Sequence, residues 1–368
     1  LNLICLISFG LALPFDAAEQ PNVVLIFADD LGYGDLGCYG ATKVQTPNID
    51  RLAKEGRRFT DAHSASAVCT PSRYALLTGE YPVRANGGAG VWGPAPVTSG
   101  LIIDTEELTI ADVFKNKGYA TAALGKWHLG FGEGTNNWQE PLRPGPQDLG
   151  FDYYFGMPVV NCAPPYVYVE NDRVVGGDPD DPLVYLGRNA KGATPITPIP
   201  PEAAQRSPNV FGGAKEAHKL FNDYQVGTTF AKKSVEWINE RKDKPFFLYL
   251  AHMYVHVPLF IPKQFLDVSR NGAYGGAVAC IDWAMGAIEA ELNRLGIKDN
   301  TLVIFTSDNG SRARDEGGSN EPLRGRKAQT WEGGQRVPCI MRWPGKIAAG
   351  TTCTGIASAI DLFATLAQ

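Results

Sequence analysis

Four continuous apolar runs constrain the fold most, because each has the length of a β-strand that is buried on both faces. They occupy residues 22–28, 119–124, 245–251 and 301–306. Runs of this kind are typical of parallel strands, whose two faces are both covered by helices. Helical patterns lie between them, so the sequence predicts an α/β fold with a mostly parallel or mixed central sheet between layers of helices.

Five segments have a helical pattern, whereas residues 130–213 have none. They occupy residues 46–56, 71–79, 108–118, 221–242 and 273–295. The first opens on Thr46 and Pro47 and ends at Gly56, which are typical helix start and stop residues. Residues 130–213 are instead rich in Pro, Gly and Asp. That composition predicts long loops with short strands, and loops of this length often form the walls or lids of a site.

Polar residues follow all four apolar runs. In a parallel sheet these positions meet at one edge, and ligands of such sheets bind outside that edge. We therefore expect one site there. Its candidate residues are Asp29, Asp30, Lys126, His128, His256, Asp308 and Asn309.

Asp29, Asp30, Asp308 and Asn309 are candidate metal ligands. Buried carboxylates that lie side by side repel each other and are costly to remove from water. A divalent cation would remove that cost, and an all-oxygen set of ligands favours Ca²⁺ or Mg²⁺ over Zn²⁺. The alternative is that the two Asp residues cap a helix and that Asp308 and Asn309 only form a turn with Gly310.

Cys69 is the candidate nucleophile. It lies just before a helix that begins at Pro71, where the helix dipole favours an anion, and Arg73 can reach back to it. As a thiolate it would be nucleophilic. Only three residues separate Cys69 from Arg73, fewer than the phosphatase-type cysteine loop needs. The alternative is a buried structural cysteine near a helix start.

Charge, cysteine spacing and the first residues narrow the functional class. Lys and Arg number 34 and Asp and Glu 39, and the net charge of −5 argues against a nucleic-acid-binding protein. The seven cysteines include no C-x-x-C pair, which argues against zinc ribbons and thioredoxin-like redox sites. Residues 1–20 have the pattern of the end of a secretory signal peptide, with an N-terminal strand as the alternative. No later apolar run has the length of a transmembrane helix.

The stretch C-T-P-S-R-Y-A-L-L-T-G at 69–79 resembles the signature of the type I sulfatases, C-x-P-S-R followed by Leu and Gly. Further stretches resemble the same family, and the resemblance runs from about residue 21 to the end of the chain. These are N-V-V-L-I-F-A-D-D-L-G-Y-G-D at 22–35, G-K-W-H-L-G at 125–130, V-H-V-P at 255–258, S-D-N-G at 307–310, and L-R-G-R-K at 323–327 with E-G-G-Q-R-V-P at 332–338.

The resemblance implies an alkaline-phosphatase-like fold and a catalytic domain at residues 21–368, with a small C-terminal sheet subdomain largely missing. It implies that Cys69 is oxidised to formylglycine (3-oxoalanine) and that Ca²⁺ binds beside it. The implied calcium ligands are Asp29, Asp30, the modified Cys69, Asp308 and Asn309. The implied residues of the sulfate pocket are Arg73, Lys126, His128, His256 and Lys327.

Five other positions bear on the assignment of the site. Arg326 stands where the family usually has Gly, and the polar residue that some relatives place after their G-I-P segment has no clear match, with Asn161 as the candidate. His252 competes with His256 for a place in the cleft, because residues four apart on a strand share a face. His63 and His218 have no motif around them, so we assign them no role.

The implied reaction is hydrolysis of a sulfate monoester of a sugar or an aryl alcohol. Its implied partners are that ester and a maturing enzyme, either a formylglycine-generating enzyme or an anaerobic sulfatase-maturing enzyme. The protein would be secreted or periplasmic, or derived from the endoplasmic reticulum and lysosomal in a eukaryote. The alternatives are a phosphonate monoester or phosphodiester hydrolase of the same superfamily and a non-catalytic binding relative.

Overall fold

A computed structural model describes residues 20–134, 136–193 and 209–368. Apart from Gln20, the predicted signal-peptide remnant at residues 1–20 lies outside the described residues. Within the described ranges, ten strands form one mixed sheet. Their spatial order is β13 (Thr351–Cys353), β2 (Arg57–Phe59), β12 (Cys339–Arg342), β11 (Thr301–Ser307), β1 (Asn22–Ala28), β10 (Phe246–Ala251), β4 (Ala120–Lys126), β5 (Tyr153–Met157), β6 (Val169–Glu170) and β7 (Arg173–Val174).

The centre of this sheet is parallel and its two sides are mixed. Strands β11, β1, β10, β4 and β5 run parallel to one another, whereas β12 and β6 run antiparallel to their inner neighbours. Two short pairs complete the described strands. These are β3 (Ala62–His63) with β14 (Ala357–Ser358), and β8 (Val184–Arg188) with β9 (Asn209–Gly212).

Helices cover both faces of the sheet. In chain order they are α1 (Pro47–Glu55), α2 (Cys69–Thr78), α3 (Ala85–Gly88), α4 (Ile110–Asn116), α5 (Lys215–Leu220), α6 (Val226–Arg241), α7 (Lys263–Leu266), α8 (Gly272–Arg294), α9 (Glu332–Gln335) and α10 (Asp361–Ala367). Val24 and Ile26 of β1 belong to a core that includes apolar side chains of α1, α6 and α8. Val23 and Leu25 belong to a second core, which includes side chains of α2 and α4. Alternate residues of one strand thus face different helical layers, and the predicted α/β sandwich is confirmed.

The predicted strands are present with small differences at their ends. The run at 119–124 becomes β4, which continues to Lys126, and the helix predicted from Pro71 begins at Cys69. The helix predicted from residue 221 begins at Val226, because Asn222 instead caps a short 3-10 turn with its side chain. The loop-rich stretch at 130–213 does contain short strands, but one of them, β5, joins the central sheet beside β4.

Glycine weakens the strand pattern of β5 in the sequence. A Cβ at Gly156 would lie 1.8 Å from the carbonyl oxygen of Gly125 on β4, so the two strands require glycine at this contact. Glycine lowers strand propensity in any single-sequence pattern. Among the described helices, none has both the length and the apolar character needed to cross a membrane.

A buried ion pair links helix α8 to strand β12. Arg342 is fully buried, and its NH1 lies 2.6 Å from Oε2 of Glu289. Glu55 Oε2 is the next acidic oxygen, 3.8 Å away. The Nε and NH2 atoms of Arg342 have no hydrogen-bond partner among the described residues. The guanidinium therefore depends mainly on Glu289 for its neutralisation.

We expect Glu289→Ala to lower the free energy of unfolding by about 3–5 kcal/mol, because it leaves a buried cation without its main counter-charge. Denaturant unfolding followed by circular dichroism measures this loss. Glu291→Ala is the matched control, since Glu291 lies on the same helix but pairs with Arg294, whose side chain is 60% exposed. The control should cost much less, and equal losses in the two variants would contradict the assignment.

Candidate active site

The carboxyl ends of four neighbouring strands assemble the site. Ala28 of β1 pairs with Ser307 of β11, and Ala251 of β10 pairs with Gly125 of β4, so all four strands end at the same edge. The chain segments that follow are also bonded together. The N–H of Asp29 donates to Tyr254 O at 3.0 Å, and the N–H of Asp308 donates to Ala28 O at 3.0 Å. The expected convergence of the polar clusters is therefore present.

Two residues at this edge have an unusual backbone conformation. Asp30 has a φ of 61° and His128 a φ of 57°, both in the left-handed region that side chains other than glycine rarely adopt. At Asp30 the turn is held by two bonds to β11 and its loop. The N–H of Asp30 donates to Asp308 Oδ1 at 3.0 Å, and that of Leu31 donates to Ser307 Oγ at 3.1 Å. Strain of this kind is concentrated at functional sites.

Each carboxylate of the site has a cation beside it. Lys126 Nζ lies 2.5 Å from Asp29 Oδ2, and Lys327 Nζ lies 2.6 Å from Asp30 Oδ1. Arg73 NH2 lies 2.9 Å from Oδ2 of the third carboxylate, Asp308.

Arg73 makes two further contacts. Its NH2 lies 3.6 Å from Asp29 Oδ2, and its NH1 donates to the carbonyl oxygen of Lys126 at 3.1 Å. The side chains of Asp29, Asp308, Arg73 and Lys126 are fully buried.

The three carboxyl groups respond differently to this environment. Burial alone would raise the pKa of Asp29, but Lys126, His256 and Arg73 outweigh it and hold that pKa below its ordinary value. Burial is likewise outweighed at Asp30, where Lys327 contributes most to the lowered pKa. Burial and the nearby charge of Asp29 instead raise the pKa of Asp308 to about 7, in spite of Arg73. Asp308 is therefore the carboxyl group whose ionised form these cations stabilise least.

Three buried oxygen atoms of the site have no hydrogen-bond partner among the described residues. They are Asp29 Oδ1, Asp30 Oδ2 and Asn309 Oδ1. Asn309 Nδ2 donates to Asp30 Oδ1 at 2.8 Å and to Gly310 O at 3.0 Å, which fixes the orientation of the amide. Buried polar atoms are normally paired, and a hard divalent cation is the partner that two carboxylates and an amide oxygen suit best. These residues therefore fit a metal ion.

A second set of ligand atoms includes a histidine. Ligand atoms of Asp29, Asp30 and His256 all lie within 4.8 Å of one another. Cys69 and Asp308 are not part of that group. Both oxygens of Asp308 already accept hydrogen bonds, from Asp30 N–H and from Arg73, so it would bind a metal through remaining lone pairs. The proposed ligation by Cys69 and Asp308 stays a prediction.

Cys69 is the first residue of helix α2 and is almost fully buried. Its Sγ lies 3.4 Å from Nδ1 of His128, and Thr70 Oγ1 donates to the carbonyl oxygen of His128 at 3.0 Å. Burial raises the pKa of the Cys69 thiol, and the cations Lys126 and Lys327 do not reverse that effect. Near pH 7 the neutral thiol is therefore favoured over the thiolate, in spite of the helix start.

Asn161, only a possible match at the sequence level, orients His256. Asn161 Nδ2 donates to His256 O at 3.1 Å and to Pro258 O at 2.8 Å, which leaves Asn161 Oδ1 facing His256 Nδ1 at 3.1 Å. The same Nδ1 lies 2.7 Å from Val257 O. Because two acceptors face Nδ1, the proton of the neutral ring lies on that atom. The Nε2 atom is therefore unprotonated, and it lies 3.9 Å from Asp30 Oδ2.

Both site histidines are neutral near pH 7. Burial, followed by the charge of Lys327, lowers the pKa of His256 to about 4. Burial, followed by the charges of Lys126 and Arg73, lowers the pKa of His128 well below its ordinary value. These histidines can thus accept hydrogen bonds from substrate or donate their one ring proton, according to the tautomer.

The loop that carries Lys327 is held by residues that the sequence patterns did not identify. The N–H of Lys327 donates to Ser311 O at 3.0 Å, and Ser311 is clamped by the side chain of Asn320 on its N–H and on its O. Asp35, behind this loop, accepts a hydrogen bond from Ser319 N–H at 2.8 Å. Asp35 belongs to the family-like stretch at 22–35. Ser319 is 284 residues away in the sequence, so no local pattern indicates this contact.

The site brings together every residue that the family resemblance implied. These are Asp29, Asp30, Cys69, Arg73, Lys126, His128, His256, Asp308, Asn309 and Lys327. His252 is fully buried and accepts a hydrogen bond from Tyr254 N–H at its Nδ1, and it is not among the residues that line the cavity beside His256 and Lys327. His63 lies elsewhere, in an ion-pair cluster with Asp61 and Glu332.

Comparison with known proteins agrees with this geometry. The Sulfatase family model matches residues 21–368. The chain is 40% identical over 377 residues to an N-acetylgalactosamine-6-O-sulfatase of Bacteroides thetaiotaomicron, a match that covers 95% of this chain and 72% of that protein. It is 38% identical over 383 residues to human arylsulfatase A, which covers 100% of this chain and 66% of that protein.

A solved structure described with the metabolism of glycosaminoglycans by Bacteroides thetaiotaomicron is also similar. It has a TM-score of 0.87 and 38% identity, and the match covers 95% of this chain and 77% of that chain. The match covers a smaller share of the mammalian relatives than of the bacterial one. The chain spans about two thirds of the length of human arylsulfatase A and of rat steryl-sulfatase.

We expect His256 to be neutral at pH 7 with its proton on Nδ1, because Asn161 Oδ1 and Val257 O both face that atom. ¹⁵N NMR of histidine-labelled protein distinguishes the two tautomers, and the spectrum of His256→Gln identifies the resonances of this ring. A dominant Nε2–H tautomer, or a charged ring at pH 7, would contradict the assigned geometry.

Proposed function

Since this chain belongs to the sulfatase family of sulfuric ester hydrolases, we propose that it hydrolyses sulfate monoesters by means of a calcium ion and a formylglycine formed from Cys69. The substrate would be a sugar or aryl sulfate. The observation that carries this proposal is the pairing of a neutral, buried thiol at residue 69 with three unpartnered oxygens in the same pocket. The thiol is unreactive as it stands, and the oxygens suit a hard cation.

The charge balance of the pocket supports the need for a cation. Arg73, Lys126 and Lys327 offset the carboxylates of Asp29, Asp30 and Asp308, so the protein alone offers a sulfate monoanion little net attraction. Bound calcium would add the positive charge that stabilises the sulfate oxygens as the S–O bond breaks. The ligands would be Asp29, Asp30, Asp308, Asn309 and the modified residue 69.

The surroundings of residue 69 support its conversion. Formylglycine at residue 69 would, as its hydrate, supply one hydroxyl as the nucleophile for sulfur and a second hydroxyl whose deprotonation would allow release of the sulfate. His128 Nδ1, 3.4 Å from the Cys69 sulfur, lies where it can exchange a proton with a hydroxyl at that position. Because Cys69 is only 1% exposed, the maturing enzyme must reach it before the chain folds. That enzyme would be of the formylglycine-generating or the anaerobic maturing type, and the mature protein would be secreted, periplasmic or lysosomal.

The leaving group needs a proton, and His256 is the group that we assign to this step. It lines the cavity outside the site together with Lys327, and its Nε2 is the ring atom turned toward Asp30. A sulfate anion bound beside it would favour the imidazolium form. Asn161 acts through His256 as a positioning residue, because it holds Nδ1.

Two alternative functions would give the same residues different roles. A phosphonate or phosphodiester hydrolase with a transition metal would use a histidine ligand, and His256 lies close enough to Asp29 and Asp30 to be considered. The three unpartnered oxygens favour the hard cation instead. A non-catalytic binding relative would keep residue 69 as an ordinary cysteine.

We expect the calcium-loaded protein to hydrolyse aryl or sugar sulfates in preference to the matched phosphate esters, and EDTA to abolish the activity until calcium is returned. Lys327→Ala should lower kcat/KM by about 10²–10³-fold, since it removes a cation from the pocket. Lys346→Ala, at an exposed lysine outside the site, is the control and should leave kcat/KM unchanged. Initial rates on the paired esters measure both effects. A preference for phosphate, or activation only by a transition metal, would favour the phosphorus-ester rival.

We also expect residue 69 to be formylglycine in active protein. The tryptic peptide 59–73 should be lighter than its cysteine form, because one oxygen replaces one sulfur and two hydrogens. Mass spectrometry of the digest measures this difference. The Cys69→Ala protein is the inactive control, and its tryptic peptide has a known mass. A plain thiol at residue 69 in a fully active preparation would overturn the mechanism.

A further inference from the structure

The cavity that opens outward from His256 and Lys327 has three arginines in its wall. Its volume is about 640 Å³, and the arginines are Arg312, Arg314 and Arg326. None of them is needed to neutralise the buried carboxylates of the site, which are paired with Arg73, Lys126 and Lys327. A cavity of this volume is large enough for more of a substrate than its sulfate group.

The acidic residues of the same wall do not cancel these arginines. Arg312 Nε lies 3.5 Å from Glu316 Oε1, so this arginine has a counter-charge of its own. Asp315 is the other acidic residue of the wall. Among the described residues, neither Arg314 nor Arg326 has a carboxylate oxygen within 4.0 Å. The wall therefore keeps unpaired positive charge next to the sulfate pocket.

Arg326 is the best placed of the three. It directly precedes Lys327, so its Cα lies about 3.8 Å from the Cα of a pocket residue. The backbone on both sides is fixed. Lys327 N–H donates to Ser311 O at 3.0 Å, Ala328 N–H donates to Ala67 O at 2.9 Å, and Gln329 N–H donates to Arg326 O at 3.0 Å. Because the backbone is held, only the side chain of Arg326 would have to become ordered when it binds a ligand.

We propose that Arg326, assisted by Arg314, binds a second anionic group of the substrate. This inference rests on the proposed sulfatase function and narrows its substrate to a sulfated saccharide that carries a further carboxylate or sulfate. Guanidinium groups bind both anions through paired, charge-assisted hydrogen bonds. A simple aryl monosulfate lacks this group and would make no use of the arginines.

Arg324 provides a matched control two residues away. Its guanidinium lies 3.8 Å over the ring of Trp331, and it does not line the cavity. Arg324→Gln and Arg326→Gln therefore remove the same charge from the same loop, but only the second removes it from the cavity wall.

The test compares substrates with one and with two anionic groups on the mature, calcium-loaded protein. N-acetylgalactosamine 6-sulfate has one, N-acetylgalactosamine 4,6-disulfate has a second sulfate, and a 6-sulfated disaccharide with a uronic acid has a carboxylate. In the parent protein we expect kcat/KM to be higher for at least one of the doubly anionic substrates. Arg326→Gln should lower the ratio of doubly to singly anionic kcat/KM by about tenfold or more, as expected for a charge-assisted pair. Arg324→Gln should leave the ratio unchanged.

The outcomes separate this inference from the function on which it rests. An equal loss on all substrates in Arg326→Gln would mean that Arg326 only places Lys327, and an unchanged ratio would mean that it binds no anion; either result overturns the inference. Which doubly anionic substrate loses more identifies the second group as sulfate or carboxylate. Calorimetric titration of the same saccharides into Cys69→Ala protein, with and without Arg326→Gln, gives the ratio of affinities without turnover. If no ester is hydrolysed, the proposed function fails, while this affinity ratio still decides the role of Arg326.

Discussion

The structure depends on the burial of three carboxylates at the ends of two neighbouring strands, β1 and β11. Carboxylates so close together cannot all stay ionised in a low-dielectric interior unless positive charge is brought to them. The chain brings it from three separate segments: Arg73 from α2, Lys126 from the end of β4, and Lys327 from the loop after β11. Each ion pair therefore fastens a distant part of the chain to the same sheet edge, so folding and assembly of the site are coupled.

The balance of these charges also determines what chemistry the pocket can support. Reactive cysteines need surroundings that favour the thiolate, such as a charged histidine or a helix start with little competing negative charge. Cys69 has the helix start, but its histidine neighbour, His128, is neutral and buried carboxylates lie nearby. The same arrangement suits an uncharged oxygen nucleophile beside a cation, because hydroxyl groups can donate to the carboxylates and ligate the metal. The proposed function accordingly treats Cys69 as the precursor of the reacting group.

Sequence patterns identified four of the five parallel central strands and the polar residues that follow them, because both depend on local patterns, whereas Lys327 was reached only through the family resemblance. A buried parallel strand is a continuous apolar run, and the residue after it is directed to the functional edge whatever the rest of the chain does. Contacts between distant segments were not predictable in this way. The pairing of Gly156 with Gly125, the hold of Asn161 on His256, and the link from Asp35 to Ser319 each join residues whose local sequence shows no partner. The choice of His256 over His252 needed the family resemblance, since the strand pattern alone favours neither.

The division between buried and exposed charge separates reaction from selection. Arg73 and Lys126 are buried completely, and replacing either would leave a carboxylate uncompensated, so these positions have little freedom to change. Arg326 lies on the cavity wall, and its backbone is held by bonds that do not involve its side chain. A substitution there alters the charge that a substrate meets and leaves the carboxylate network intact. Residues of this second kind can change while the reacting centre stays the same, and Arg326 is such a residue.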